Sequence, residues 1–128
     1  MNRIVLDASA LLAVLNGEPG AEKLTAKLLT GAASSTVNLA EVQSKLVDWG
    51  IHPDTAWAAA MSPVQEGIPF NEGQAKTAGS LVAQTRRLGL SLGDRACLAL
   101  ALDLKAPVYT ADRSWKHLKL EVPIHVIR

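Results

Sequence analysis

The chain has 128 residues, 48% of them hydrophobic and 20% charged, which suits one globular domain and excludes a disordered segment. Its formal net charge of +1 excludes a uniformly basic surface, so any nucleic-acid contact must be local. The lone Cys97 excludes an internal disulfide and a thiolate metal site. The chain lacks a signal-peptide pattern and an apolar stretch approaching the roughly 20 residues that span a bilayer. We therefore expect a single domain over residues 1–128, in the cytoplasm and not in a membrane.

Strands and helices alternate along the chain. In chain order the patterns predict a strand at 3–6, helices at 9–16 and 21–29, a strand at 33–37, helices at 39–49 and 53–61, a short edge strand or loop at 68–70, helices at 72–88 and 92–104, a strand at 108–110, a helix at 113–118 and a strand at 124–127. Helix 92–104 is apolar on nearly every side, which predicts a central, buried helix. Strands separated by helices form right-handed parallel units, so we expect an α/β fold: a three-layer α/β/α sandwich around a mainly parallel sheet.

Four carboxylates lie at predicted strand-to-helix junctions or in the first turn of a predicted helix. They are Asp7, Glu41, Asp94 and Asp112. In a parallel sheet these junctions share the carboxyl edge, where ligands bind. Four acids close together cannot all ionise unless cations neutralise them. The pattern therefore predicts a divalent-metal site.

The types of ligand indicate which metal. An all-oxygen set favours Mg²⁺ or Mn²⁺ over zinc. The three histidines, His52, His117 and His125, are far from the acids in sequence and are not spaced as a pair. Chains that bind nucleotide cofactors carry glycine-rich phosphate loops, and this chain has none of those motifs.

Helix capping is the alternative explanation for three of the acids. Glu41 follows Asn38 and Asp94 follows Ser91 at the spacing of a capping box. Asp112 precedes the predicted helix 113–118 and would suit its N-cap. Capping and metal binding can coexist, because a carboxylate has several lone pairs.

Asp7 is harder to explain by capping alone. It follows three consecutive aliphatic residues, where an acid is rare unless it is paired or ligated. Two hydroxyls lie near the acids in sequence: Ser9 beside Asp7, and Thr110 beside Asp112. They could orient a carboxylate or a metal-bound water, although Ser9 could equally cap its own helix.

Four sequence blocks carry a family resemblance. They read IVLDASALL at 4–12, NLAEV at 38–42, SLGDRACLALA at 91–101 and YTADRSW at 109–115. These blocks resemble, in order and over nearly the whole chain, the signatures of PIN-domain ribonucleases, and above all the VapC toxins of bacterial type II toxin–antitoxin pairs. The stretch from 50 to 74 carries no such signal.

The resemblance implies a function. It implies an Mg²⁺- or Mn²⁺-dependent endoribonuclease that hydrolyses RNA by metal-activated water, with a VapB-like antitoxin as partner and a homodimer as the assembly. It also implies a catalytic acidic cluster formed by Asp7, Glu41, Asp94 and Asp112 and assisted by Thr110.

Basic residues cluster around the later acids. They are Arg86, Arg87, Arg95, Arg113, Lys116 and Lys119. Arg95 and Arg113 directly follow acids, so both could face a phosphate backbone. We predict that Arg95, Arg113 and Lys116 form an RNA-binding rim.

Two other functions remain open at this point. One is a phosphatase or phospho-acceptor domain that uses Asp7 as a nucleophile. Haloacid-dehalogenase enzymes require a second aspartate where this chain has Ser9, and receiver domains require an adjacent acid pair that this chain lacks. The other is a catalytically silent PIN-like scaffold that only binds a partner.

Overall fold

A computed structural model of the protein describes residues 2–128. Five parallel strands form one sheet in the order β3-β2-β1-β4-β5. The strands are β1 (Ile4–Leu6), β2 (Ala32–Ser35), β3 (Glu66–Ile68), β4 (Val108–Thr110) and β5 (Ile124–Val126). The helices are α1 (Ala8–Asn16), α2 (Ala26–Leu29), α3 (Thr36–Asp48), α4 (Pro53–Met61), α5 (Glu72–Ser80), α6 (Val82–Thr85) and α7 (Leu92–Leu104), and 3-10 turns cover Ala21–Lys23, Arg86–Leu88 and Arg113–His117.

The central strand β1 shows how the layers form. Successive side chains of a strand point to opposite faces of its sheet. Ile4 and Leu6 accordingly join an apolar cluster with α1, α3 and α4 on one face, while Val5 joins a cluster with α7 and Trp115 on the other. Burial of both faces explains why β1 is apolar throughout. The expected three-layer α/β/α sandwich with a parallel sheet is confirmed.

Helix α7 is the buried helix that its composition predicted. Its residues 96–101 are all at most 1% exposed. Within residues 2–128, the chain forms no helix that is long and apolar enough to cross a bilayer.

The start of α3 differs from the prediction. A strand was expected over 33–37, but the strand ends at Ser35, whose hydroxyl accepts a hydrogen bond from the Val37 amide and caps the helix. Asn38 therefore lies inside the first turn, and the capping box predicted for Asn38 and Glu41 is wrong. The cap comes earlier because Ser35 stands where the extended backbone ends.

The helix predicted at 72–88 is also wrong as one continuous element. It divides into α5, α6 and the 3-10 turn Arg86–Leu88. The hydroxyls of Thr77, Ser80 and Thr85 each donate to the backbone carbonyl four residues earlier. Such bonds compete with the helical ladder and bend helices, which accounts for the interruptions.

Other predicted elements differ from the structure in their bounds or helix type. The segment 21–29 begins as a 3-10 turn, and α2 starts only after the Thr25 hydroxyl caps it. The segment 113–118 is a 3-10 turn, not an α-helix. The strand expected near 68–70 runs from Glu66 to Ile68 and, as expected, lies at the edge of the sheet.

Candidate active site

Asp7 is a buried carboxylate at the carboxyl end of β1, with 2% of its surface exposed. Its Oδ1 accepts hydrogen bonds from the Ala10 amide and the Ser9 hydroxyl, both at 2.8 Å. Its Oδ2 lies 2.6 Å from the Thr110 hydroxyl, which donates to it, and 2.9 Å from Ser9 Oγ. The Ala10 bond makes Asp7 the N-cap of α1. Of the two roles considered for Ser9, the structure therefore favours orienting Asp7 over capping the helix.

The same hydroxyls connect Asp7 to Asp112. Ser9 Oγ accepts a hydrogen bond from the Ala111 amide at 2.9 Å, and Thr110 Oγ1 accepts one from the Asp112 amide at 3.0 Å. The Ser9–Ala111 and Thr110–Asp7 contacts each span about one hundred residues of sequence and hold the end of β4 against the end of β1. Asp112 itself is exposed, and its Oδ1 caps the 3-10 turn by accepting from Ser114. Its predicted capping role is confirmed.

Glu41 is positioned by Asn38, for which the sequence predicts only a capping role. Asn38 is 1% exposed, and its Nδ2 donates to Glu41 Oε1 at 2.8 Å and to the Gly93 carbonyl at 3.0 Å. A Cβ added to Gly93 would lie only 2.4 to 2.6 Å from the Glu41 carboxylate atoms. Asn38 and Gly93 therefore hold Glu41 against the first turn of α7, which also carries Asp94.

Asp94 combines a structural role with an accessible carboxylate. Its amide donates to the Ser91 hydroxyl at 3.1 Å, and its Oδ2 accepts from the Ser91 amide at 2.9 Å. The predicted capping box of α7 is thus confirmed. Asp94 is half-buried, and only Oδ2 takes part in the box.

The acids influence each other electrostatically. Burial, with a smaller contribution from the charge of Asp94, raises the pKa of Asp7 to about 6 against the opposing hydrogen bonds. Burial also raises the pKa of the Cys97 thiol on α7, and the charges of Asp7, Asp94 and Glu41 add to this effect. The three carboxylates are therefore within Coulombic range of one buried thiol. Cys97 itself is not a usable nucleophile or metal ligand, because its thiolate is strongly disfavoured.

The donor set fits a hydrated hard cation. Within residues 2–128, no three Asp, Glu, His or Cys side chains form a preformed cage around one point. Mg²⁺ does not need such a cage, because it retains several waters and is bound through one or two carboxylates. A buried Asp7 beside a second acid would be stabilised in its ionised form by such an ion.

The predicted basic rim is not uniform. Arg95 is half-buried, and its Nη1 donates to the Ala78 carbonyl at the end of α5, at 2.9 Å. This contact gives Arg95 a packing role. Arg113 and Lys116 are exposed on the 3-10 turn that follows Asp112, so RNA binding stays a prediction for them.

Comparisons with known proteins agree with this architecture. A family model for the PIN domain matches residues 4–120. A comparison of the sequence with curated proteins finds no significant match. Solved structures with a similar fold include DNA-bound VapBC from Salmonella typhimurium, with a TM-score of 0.74 and 16% identity over 100% of both chains.

Two further structures are similar. VapBC2 from Rickettsia felis, bound to a DNA fragment from its promoter, has a TM-score of 0.70 and 18% identity over 94% of this chain and 96% of that chain. VapC20 from Mycobacterium tuberculosis, described as a sarcin–ricin loop cleaving toxin, has a TM-score of 0.69 and 19% identity over 93% of this chain and 98% of that chain. Likeness at such low identity establishes the shared fold.

The burial of Asp7 predicts a stability change in metal-free protein. Because its pKa is about 6 in the folded state against 3.8 ordinarily, ionised Asp7 destabilises the fold above pH 6, and this penalty disappears below about pH 4. In EDTA at pH 7.5, Asp7→Asn should raise the free energy of unfolding by about 1–3 kcal/mol. This gain in the free energy of unfolding should be smaller at pH 4.5, where Asp7 of the native protein is largely protonated. Urea denaturation at both pH values measures it.

The matched control is Asp112→Asn, which makes the same change at an exposed carboxylate. It should not increase stability at either pH. A loss of stability in Asp7→Asn that is equal at pH 7.5 and pH 4.5 would contradict the electrostatic account and leave only a hydrogen-bonding role.

Proposed function

Because the chain belongs to the PIN domain family, we propose that it is a divalent-metal-dependent endoribonuclease and the toxin of a type II toxin–antitoxin pair. The observation that carries this proposal is the buried carboxylate of Asp7, held by Ser9 and Thr110 beside other acids at the carboxyl edge. A bound cation would stabilise the ionised form of a buried acid that has acidic neighbours. RNA supplies the phosphate that such a cation would act on.

The mechanism assigns one role to each group. Asp7, Glu41, Asp94 and Asp112 would hold the ion, directly or through its waters. Mg²⁺ or Mn²⁺, when bound, supplies Lewis-acid stabilisation of phosphate charge and lowers the pKa of a bound water. A carboxylate oxygen that is not engaged by a protein donor would accept the proton of the attacking water.

The hydrogen bonds around the acids provide preorganisation. Thr110 and Ser9 hold both oxygens of Asp7, and Asn38 holds one oxygen of Glu41. These neighbours restrict the carboxylate rotamers before substrate arrives. Fixed carboxylates require less reorganisation at the reacting phosphate.

The phosphoenzyme alternative is less consistent with this geometry. Phosphoenzymes of the haloacid-dehalogenase kind require a second aspartate where this chain has Ser9, and here the Ser9 hydroxyl contacts both oxygens of Asp7 instead. The silent scaffold is disfavoured because all four acids are present. Trapping a phospho-aspartate would favour the phosphoenzyme. Finding no RNA cleavage with any divalent metal would favour the silent scaffold.

The expected partner is a VapB-like antitoxin. The similar structures include VapBC complexes from Salmonella typhimurium and Rickettsia felis. An antitoxin segment carrying an arginine would pair with the acidic site through bidentate hydrogen bonds. We extend the proposal to a homodimer as the basic assembly.

The first test concerns the acids and the metal. Asp94→Asn should reduce cleavage of single-stranded RNA by more than about 100-fold. Mutating a residue that only orients a ligand typically costs up to about 100-fold, so a larger loss indicates a direct role. EDTA should abolish cleavage by the native protein, and Mg²⁺ or Mn²⁺ should restore it. The control is Asp54→Asn, the same change at an exposed residue of α4, which should keep full activity. Full cleavage by Asp94→Asn, or turnover in EDTA with metal shown absent, refutes the assignment.

The second test changes the space beside Glu41. Gly93→Ala places a methyl group where the Glu41 carboxylate lies, so it should lower cleavage by roughly 10- to 100-fold, as for a residue that orients ligands. The free energy of unfolding should change little, because alanine favours the helix by up to about 1 kcal/mol over glycine and so offsets part of the cost of displacing Glu41. Gly79→Ala in α5 meets no atom within 4 Å and should leave cleavage unchanged. Equal activity in both variants would show that the position of Glu41 is unimportant.

The third test concerns the partner. We expect the chain to co-purify with the product of an adjacent small open reading frame and to be inhibited by it. RNA cleavage with and without that product measures the effect. Equal cleavage by the bound complex would refute the antitoxin part of the proposal and leave the nuclease part standing.

A further inference from the structure

We propose that a basic cleft beside the acidic site binds a phosphate of the RNA strand outside the cleaved bond. This cleft is a cavity of about 680 Å³ lined by Gln84, Arg87, Leu88, His117, Leu118 and Lys119. The inference rests on the proposed nuclease function and deepens it. The basic cleft takes over the RNA-binding role that the sequence assigned in part to Arg95, Arg113 and Lys116.

The lining of this basic cleft suits a nucleotide. Arg87, His117 and Lys119 are exposed and supply cationic or donor groups, and the cleft has no acidic lining residue. Leu88 and Leu118 are half-buried and supply an apolar surface against which a base or ribose can pack. Its volume is within the roughly 300–1,000 Å³ typical of small-ligand pockets.

The cations of the basic cleft are available for binding. Across residues 2–128 the ion pairs join Arg3 to Glu66 and Arg128 to Glu18, and Arg95 donates to a backbone carbonyl. Arg87 and Lys119 form no ion pair among these residues. Since the formal net charge is only +1, a cavity that gathers unpaired cations is where phosphate binding would concentrate.

The position of the basic cleft connects it to the acidic site. One wall is formed by Gln84 of α6 and by Arg87 and Leu88 of the 3-10 turn Arg86–Leu88. The other is formed by His117, the last residue of the turn Arg113–His117, and the two residues that follow it. The first turn leads into α7, which carries Asp94, and the second begins directly after Asp112. At about 2 Å per residue in a 3-10 turn, His117 lies within roughly 10 Å of Asp112 along the chain. A strand bound at the acids can therefore place a neighbouring phosphate in the basic cleft.

The 3-10 geometry separates His117 from the predicted rim. Residues three apart in a 3-10 turn share a side, so Arg113 and Lys116 lie together and His117 lies on another side. Arg113 lines a different cavity, together with Asp112, Glu18 and Arg128. The basic cleft is thus the surface near the acids that combines cations with no carboxylate.

An acidic segment of a partner protein is the other chemistry that could occupy the basic cleft. RNA is favoured because the apolar floor of Leu88 and Leu118 suits a base or ribose as well as a phosphate. The cleft also continues through Gln84 and Lys119 into a second cavity that reaches Lys76, with Glu121 as its one acid. A chain of phosphates matches such an extended series of cations.

The test is the salt dependence of RNA binding. The variant Arg87→Gln/Lys119→Gln is compared with Lys27→Gln/Lys45→Gln, which removes the same charge at exposed positions outside the cleft. The probe is a fluorescein-labelled single-stranded RNA oligonucleotide of mixed sequence, bound in an Asp94→Asn background. Thermal unfolding checks that both variants fold.

Two lost phosphate contacts should reduce the slope of log K against log salt by about 1.4 units and weaken binding roughly 10- to 30-fold at 0.1 M salt. With Asp94 intact, KM for RNA should rise while kcat changes little, because the contact is remote from the reacting bond. The control should show neither change. A residue that only supported the fold would not alter the salt slope.

Three results would overturn the inference. Equal slopes and KM values in the two double variants would remove the basic cleft from RNA binding while leaving the nuclease function intact. Normal RNA binding with loss of antitoxin binding would assign the cleft to an acidic protein segment. Failure of the native protein to bind or cut RNA would refute the proposed function and the cleft with it.

Discussion

The burial of the Asp7 carboxylate is the constraint around which this molecule is organised. An ionised carboxylate is costly to remove from water unless it is hydrogen-bonded, and here two hydroxyls and one amide surround it. The donors come from two parts of the fold: Ala10 and Ser9 from α1, and Thr110 from β4. Satisfying one charge therefore fixes the junction between β1 and α1 against the end of β4.

A second network brings α3 to α7. Asn38 bridges the Glu41 carboxylate and the Gly93 carbonyl, and the missing side chain at Gly93 makes room for the carboxylate. The two networks are built on opposite sides of β1 in the sheet, since β2 leads into α3 and β4 leads into Asp112. Together they bring carboxylates to the centre of one edge. Burial, the largest cause, and the charge of Asp94 raise the pKa of Asp7 there. Under the proposed function, a bound cation would compensate for this concentration of carboxylates.

The arrangement of charge around this edge is also asymmetric. The acids lie at strand ends and near the starts of α3 and α7, whereas the basic cleft lies to one side, between the turns at Arg86–Leu88 and Arg113–His117. A polyanion that approaches the acids would meet repulsion there unless cations accompany it, and would meet attraction in the cleft. Under the proposed function, such a layout would orient an RNA strand before the reaction, because electrostatic attraction acts at longer range than the contacts of the reacting phosphate.

The sequence by itself determined the layers, the parallel sheet and the placement of the four acids near strand ends or helix starts. Those features follow from local patterns: apolar runs, helical spacing and the chirality of strand–helix–strand units. The capping box at Ser91 and Asp94 was readable for the same reason, because its partners are three residues apart. The early start of α3 and the interruptions after α5 were missed because hydroxyl groups competed for backbone partners in ways that periodicity does not record.

Only the tertiary structure decided which side chains meet. Thr110 is 103 residues from Asp7, and Asn38 is 55 residues from Gly93. The tertiary structure also places Arg95 against α5, and it brings Arg87, His117 and Lys119 together around one cavity. Contacts of this kind depend on the packing of helices against the sheet and on the exact rotation of each turn, and no local spacing in the chain encodes either one.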